Sequence, residues 1–294
     1  MESLTPHILT KENFSELSQA LEDYPSGIVV PIDKPYQYSS TEVVGRLKFF
    51  FKKFFGDKKL KVGHAGTLDP LATGLLLVCI GKATKIAELL QAQPKEYVAQ
   101  FIFGAVTPSY DREHPISQLL DYNHITNELI ESAVLQMIGE KEQIPPMFSA
   151  KMVDGKRLYS LARKGEDIEL KSSKIQIYSA QILDVNLKGV KYPLPEPLIS
   201  PPFSTENSPD NFTIKKRGKE RGEEDKLTLT IPDALSHLPG VTIRISCSKG
   251  TYIRSIARDL GLSLNSGGFL NALCRTRIGD FTLEQTLSLN DFKI

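Results

Sequence analysis

The sequence lacks the features of several common protein classes. Its 294 residues include no tryptophan and only three cysteines, Cys79, Cys247 and Cys274, which lie far apart without CxxC spacing. They predict neither a zinc site nor a disulfide framework and fit a reducing cytosol. The longest apolar run covers only residues 75–80, whereas a membrane-spanning helix needs roughly 20 apolar residues. Since the acidic N-terminal segment also lacks the pattern of a secretory signal, we expect a cytoplasmic protein.

A large excess of one charge is missing as well. Lysine and arginine total 36 and aspartate and glutamate 35, for a net charge of +1, so any surface for nucleic acid has to be local. One basic cluster is opposed only by Asp57 and consists of Lys48, Lys52, Lys53, Lys58, Lys59 and Lys61. A solvated helix face and a phosphate-binding surface are both consistent with this cluster.

The usual signatures of cofactor and metal sites are absent. The five histidines show no ligand spacing, and the motifs HExxH and GxSxG do not occur. The segment GKAT, residues 81–84, lacks the upstream glycine and the Ser or Thr of a phosphate-binding loop. The sequence therefore predicts no metal and no cofactor.

Strand-like and helix-like hydrophobic patterns are mixed along the chain. Apolar residues alternate over 96–103, 174–187 reads as one long strand, and 41–55 has helical spacing. Because strict βαβ alternation is missing, we predict an α/β fold of the α+β type with a mixed, largely antiparallel sheet flanked by helices and loops. We divide the chain into an N-terminal extension, 1–24, and one domain, 25–294, with a proline-rich and charged insertion at about 188–226.

One carboxylate lies in a glycine-punctuated segment, GHAGTLDPLATG, residues 63–74. Pro70 biases the preceding Asp69 towards an extended conformation, and the glycines allow backbone or a ligand to approach closely. From the residues alone, Asp69 is either a turn residue or a catalyst.

Four motifs in this order resemble the TruB family of pseudouridine synthases. They are IDKP at 32–35, the segment 63–74, KEYVA at 95–99 and SKGTYIRSIARDLG at 248–261. The resemblance covers roughly 27–187 and 227–290 and is close to the bacterial enzymes that modify the T-loop uridine, position 55 of tRNA. It implies a pseudouridine synthase catalytic domain. The implied reaction detaches uracil from C1′, rotates it and rejoins it through C5, without metal or cofactor.

The resemblance also implies three catalytic residues. Asp69 matches the catalytic aspartate, which attacks the base, attacks C1′ or removes a proton from C2′. Arg254 matches the arginine that pairs with that carboxylate; alone, it reads as a surface arginine on a helix. Tyr97 matches the tyrosine against the target base, and its pattern also fits a core tyrosine.

Five further residues match substrate-binding positions. His64 matches the histidine that fills the space left by the flipped base, and Tyr252 and Leu273 match residues of the base pocket. Lys34 matches a supporting lysine near the catalytic loop. Asp111 matches a second acid near the RNA-binding face.

The chain departs from the family pattern at Pro108, which replaces an acid, at Cys274, where arginine is frequent, and in having no evident C-terminal PUA domain. The expected partner is the T arm of tRNA, and we hypothesise that the basic cluster and the insertion compensate for the missing domain in gripping the acceptor stem. We expect a monomer without an obligate protein partner. The alternatives are an RNA-folding chaperone without catalysis and the same chemistry on another RNA.

Overall fold

The computed structural model describes residues 5–148, 170–189 and 237–293, together with the backbone of four short strands between these ranges. The chain divides into two compact units. Of the described residues, those up to Tyr97 and from Leu273 onwards form unit 1, and those from Val98 to Ala272 form unit 2.

The elements up to the middle of the chain alternate irregularly between strand and helix. In chain order they are β1 (His7–Ile8), β2 (Ile28–Lys34), α1 (Ser40–Phe54), β3 (Val62–His64), β4 (Ala72–Ile80), α2 (Ala87–Ala92), β5 (Lys95–Phe103), β6 (Ala105–Val106), β7 (Gln118–Leu119), α3 (Asn127–Gln136) and β8 (Gly139–Gln143).

The remaining elements are mostly strands. They are β9 (Met152–Val153), β10 (Lys156–Arg157), β11 (Ser173–Asn186), β12 (Thr213–Ile214), β13 (Leu227–Thr228), β14 (Gly240–Cys247), α4 (Ile253–Ser263), β15 (Gly268–Ile278) and β16 (Phe281–Thr282). Short 3-10 helices cover Phe14–Glu16, Leu21–Asp23, Gly81–Ile86, Leu283–Gln285 and Leu289–Phe292. The boundary between the units falls within β5 and β15.

In unit 1 the strands follow the order β1-β2-β4-β15, with β3 on β4 and β16 on β15. Strand β2 runs antiparallel to β4, so that Lys34 lies opposite Gly74. Strand β15 runs parallel to β4, so that Leu273 lies opposite Ala72. This register brings residues far apart in sequence to the N-terminal end of β4, where the segment 63–74 enters the strand.

The core of unit 1 contains the buried face of α1. Val43, Leu47 and Phe51 are fully buried against apolar residues of β2 and β4, as the helical spacing predicts. Ser39 caps this helix in a capping box with Glu42. The N-terminal residues, which we predicted to form an extension, pair through β1 with β2 and pack on the same core.

Unit 2 is built on strands in the order β5-β14-β11-β8, and β11 is antiparallel to both of its neighbours. Strand β11 confirms the long strand predicted over 174–187, and its pairing with β14 shifts register twice. In α4 the buried residues include Ile253, Ile256 and Leu260. The predicted fold class is therefore confirmed. Most of the insertion at 188–226 lies outside the described residues.

In the described part of the chain, no helix is long and apolar enough to cross a bilayer. The same residues contain no group of three or more His, Cys, Asp or Glu side chains that could hold a metal ion.

Candidate active site

The residues on both sides of Asp69 are held by the segment that joins β2 to α1. The Leu68 N–H donates to Ser40 Oγ at 2.8 Å, and the same hydroxyl donates to the Leu68 carbonyl at 3.0 Å. The Pro70 carbonyl accepts from the Gln37 N–H at 2.8 Å. Asp69 itself is half-buried. Its backbone is thus fixed while its side chain stays partly accessible to a ligand.

Lys34 also connects the segment between β2 and α1 to the Asp69 segment. Its side chain is fully buried, and its Nζ donates to the carbonyls of Pro35 at 2.9 Å, Tyr38 at 2.6 Å and Pro70 at 3.3 Å. Burial lowers the pKa of Lys34 to about 7, although the charge of Asp69 acts in the opposite direction. Through these bonds, Lys34 supports the backbone of the Asp69 segment.

Arg275 holds the two ends of the 63–74 segment together. The side chain is buried, with Nε donating to the Leu75 carbonyl at 2.8 Å and a terminal nitrogen donating to the Gly66 carbonyl at 3.2 Å. Gly74 allows this arrangement because a Cβ there would lie 2.3 Å from the Arg275 carbonyl oxygen. Sequence reasoning missed Arg275; an arginine within the otherwise largely apolar pattern of β15 was its only signal.

Leu273 lies at the N-terminal end of β4, whereas His64 lies opposite Val78, near the other end of the strand. Burial and the positive charge of Arg275 lower the pKa of His64. A hydrogen bond with the backbone of Gly66 acts in the opposite direction but is the weaker effect. The imidazole is therefore neutral at pH 7. Leu273 is nearly buried opposite Ala72, and Tyr97, also in unit 1, is buried in β5.

Unit 2 contains the other three predicted site residues. Arg254 Nε lies 3.5 Å from Asp111 Oδ2, and both side chains are buried. A terminal nitrogen of Arg254 donates to the Ser109 carbonyl at 3.3 Å. Asp111 in turn accepts from the Ser109 hydroxyl at 2.5 Å and the Glu113 N–H at 2.8 Å. Asp111 and Ser109 therefore orient the guanidinium, a role that the sequence analysis did not assign to either.

Tyr252, the residue before α4, is fixed through its backbone. Its N–H donates to Gln143 Oε1 at 2.8 Å, and its carbonyl accepts from Gln143 Nε2 at 3.1 Å. Gln143 is itself buried at the end of β8. The sequence offered no signal for this contact because the partners are 109 residues apart.

Comparison with known proteins identifies the family of the chain. Residues 52–194 match the N-terminal domain model of the TruB family pseudouridylate synthases. The chain is 42% identical over 270 residues to tRNA pseudouridine synthase B of Phocaeicola vulgatus, covering 92% of this chain and 93% of the relative. It is 40% identical over 273 residues to tRNA pseudouridine synthase B of Flavobacterium johnsoniae, covering 92% and 97%.

Solved structures share the fold. A crystal structure of a Cbf5–Nop10–Gar1 complex contains a chain that matches with a TM-score of 0.53 at 23% identity, covering 90% of this chain and 52% of the other. An archaeal box H/ACA sRNP Nop10–Cbf5 complex matches with a TM-score of 0.51 at 21% identity and the same coverage. The chain spans about half the length of these solved chains.

Proposed function

This chain belongs to the TruB family of pseudouridylate synthases, and we propose that it isomerises the T-loop uridine of tRNA, position 55, to pseudouridine. The observation that carries the proposal is the Asp69 segment. The half-buried carboxylate of Asp69 lies between Leu68 and Pro70. Ser40 holds the backbone of Leu68, and Gln37 and Lys34 hold the carbonyl of Pro70. Preorganisation of this kind positions a reacting group without further ordering during the reaction.

The proposed reaction needs one carboxylate and no redox step. The C1′–N1 bond breaks, uracil rotates and a C1′–C5 bond forms. The hydrogen at C5 leaves as a proton, and N1 takes up a proton, so that the reaction is an isomerisation. Asp69 supplies an oxygen that attacks C1′ or the ring, or that removes the C2′ proton. Each route requires the side chain to be accessible while its backbone stays fixed, and this is the arrangement in unit 1.

We assign supporting roles to the remaining site residues. Arg254, oriented by Asp111, holds the catalytic carboxylate, because a planar guanidinium binds a carboxylate in a fixed orientation. Tyr97 lies against the target base and assists proton transfer at C5. Tyr252 and Leu273 line the base pocket.

Base flipping is part of the proposal, because a stacked uridine is out of reach of a side chain. His64 fills the space that the flipped base leaves in the RNA. The lowered pKa of His64 suits this role, since a neutral imidazole stacks among bases without burying a charge.

We propose that a lysine pocket at the opposite end of β4 contacts the RNA backbone. This pocket of about 650 Å³ is lined by Lys59, Lys61, Lys82 and Lys85, with Glu22 and Asp57 as the acidic members. Two of these lysines belong to the basic cluster of the sequence. At about 3.3 Å per residue, β4 puts roughly 26 Å between the pocket and Ala72, whose N–H donates to the Asp69 carbonyl. The acceptor stem, stacked on the T stem, can span this distance.

The proposed function is tested by counting protons released from C5. The purified protein is incubated with an unmodified tRNA transcript that carries tritium at C5 of every uridine. We expect one equivalent of tritium per tRNA and none from a transcript with cytidine at position 55. Release from both transcripts would place the reaction at another uridine. No release from either would contradict the function and favour a chaperone or another RNA substrate.

A further inference from the structure

Gln37 combines two unfavourable features at one position. Its φ is +68°, in the left-handed region that glycine occupies readily and a residue with a Cβ does not. Its side-chain Nε2 is buried and has no hydrogen-bond partner among the described residues. A buried amide hydrogen without an acceptor is rare in folded proteins, because its hydration is lost and nothing replaces it.

The position of Gln37 places both features beside the catalytic carboxylate. The residue lies between Lys34 and Ser40, and its N–H donates to the carbonyl of Pro70, which directly follows Asp69. That contact needs only the backbone. A glycine would make the same hydrogen bond with a relaxed φ and without a buried amide. The side chain of Gln37 therefore serves something other than the fold of this segment.

We propose that Gln37 is a substrate-positioning residue whose side-chain amide donates a hydrogen bond to an oxygen of the target nucleotide or of its flanking phosphates. The proposal rests on the proposed function, since the ligand is the RNA. Nucleotides present carbonyl and phosphate oxygens that accept such a bond. Nε2 is buried in the free protein, but Gln37 as a whole is only half-buried, so a rotation of the side chain brings the amide to the RNA. There it gains the partner that it lacks in the free protein without losing bound water, so the contact favours the bound state.

The first test compares two substitutions that remove the amide in different ways. Gln37→Met keeps the length and the strained φ, whereas Gln37→Gly also relieves the strain. We expect both variants to raise KM for the tRNA about tenfold with kcat within twofold, because the bond is made in the bound ground state and kept in the transition state. Neither should have a lower Tm than the wild type, and Gln37→Gly should have a higher one.

A matched control separates relief of backbone strain from loss of the amide. Lys293 also has a left-handed φ, of +49°, and is exposed at the end of unit 1. Lys293→Gly should raise Tm and leave KM unchanged. An unchanged KM in both Gln37 variants, with the wild type active on the same RNA, would overturn the proposal and leave the proposed function standing. A lower Tm in both variants with unchanged KM would show that the side chain only serves the fold.

Synthetic stem-loops identify the acceptor. Sulfur accepts hydrogen bonds weakly, so each uracil carbonyl oxygen is replaced by sulfur in turn. If a carbonyl is the acceptor, the difference in KM between wild type and Gln37→Met disappears for that one substrate. If the difference survives both replacements, the acceptor is a ribose or phosphate oxygen. A wild type that is inactive on the unsubstituted tRNA would instead indicate failure of the proposed function itself.

Discussion

At the scale of single residues, two neighbouring serines have different roles. One stabilises helix α1, and the other positions the catalytic carboxylate. Ser39 caps α1 from an accessible position, and Ser40 is buried and bonds both backbone groups of Leu68. We expect Ser39→Ala to lower the free energy of unfolding by about 1 kcal/mol without changing kcat. Ser40→Ala should cost about 2 kcal/mol and lower kcat at least tenfold, because the Asp69 segment loses its anchor.

Urea unfolding and single-turnover assays on the two serine variants check this prediction. Equal losses of activity would contradict it, since they would mean that α1 as a whole, rather than the Leu68 contact, positions Asp69.

The buried Lys34 is expected to make the stability of the protein depend on pH. Its pKa is about 7 in the folded protein and near 10.4 in an unfolded chain, so the unfolded chain binds more protons between these values. The free energy of unfolding therefore rises with pH across this window, by up to about 1.4 kcal/mol per pH unit from this group. Lys34→Met should lack that rise.

The measurement is urea unfolding of wild type and Lys34→Met at several pH values from about 7 to 10. Subtracting the two curves cancels the contributions of other titrating groups. A difference that stays constant with pH would show that the lysine remains charged in the folded protein.

At the scale of elements, the parallel pairing of β4 and β15 depends on Gly74. Its φ is +95°, and a Cβ would lie 2.3 Å from the Arg275 carbonyl oxygen. Gly56 has a similar φ of +68° with no atom near the Cβ position. We expect Gly74→Ala to lower the free energy of unfolding by about 3 kcal/mol and Gly56→Ala by about 1 kcal/mol, since only the first adds a clash to the strain.

Thermal and urea unfolding of both alanine variants test this difference. Equal destabilisation would contradict the close approach of the two strands at Gly74.

Sequence patterns predicted the elements better than the contacts between them. The buried face of α4 and the length of β11 follow from hydrophobic spacing, which is a local property of the chain. The bond from Arg275 to Gly66 joins residues 209 positions apart. Gln37 has a left-handed φ and donates its N–H to the Pro70 carbonyl across a loop. Such features arise from tertiary packing, and neither composition nor periodicity contains them.

The site residues divide in the same way. Asp69, Lys34 and His64 were found because they lie in motifs shared with a known family. The structure places Asp69 and Lys34 at the N-terminal end of β4 and His64 opposite Val78, near the other end. The residues that hold them, including Ser40 and Gln37, carry ordinary polar side chains. Two consecutive serines at the start of a helix predict only a helix cap.

At the scale of the whole molecule, the near-zero net charge makes local charge decisive for RNA binding. In the part of the chain that the structure describes, none of the four lysines of the lysine pocket forms an ion pair. Replacing Lys59, Lys61, Lys82 and Lys85 by Glu should weaken tRNA binding and reduce the slope of log affinity against log salt, by about 0.7–0.9 for each lost phosphate contact.

The control replaces Lys141, Lys171, Lys174 and Lys188, exposed lysines of unit 2, so that the net charge changes equally. Binding is measured by filter retention at salt concentrations from about 50 to about 300 mM, because screening depends on ionic strength. A short T-arm stem-loop should bind both variants alike, because it does not reach the pocket. Equal weakening by the two sets of substitutions would assign the effect to net charge alone.

Asp69 is the residue to which we assign the chemistry, and a comparison of two proteins tests this assignment. Wild type and Asp69→Asn are assayed side by side for tRNA binding and for pseudouridine formation. Asparagine keeps the shape of the side chain and removes its charge. The account predicts that Asp69→Asn binds the tRNA with an affinity near that of the wild type and forms no pseudouridine. Turnover by Asp69→Asn at a rate near that of the wild type would contradict it.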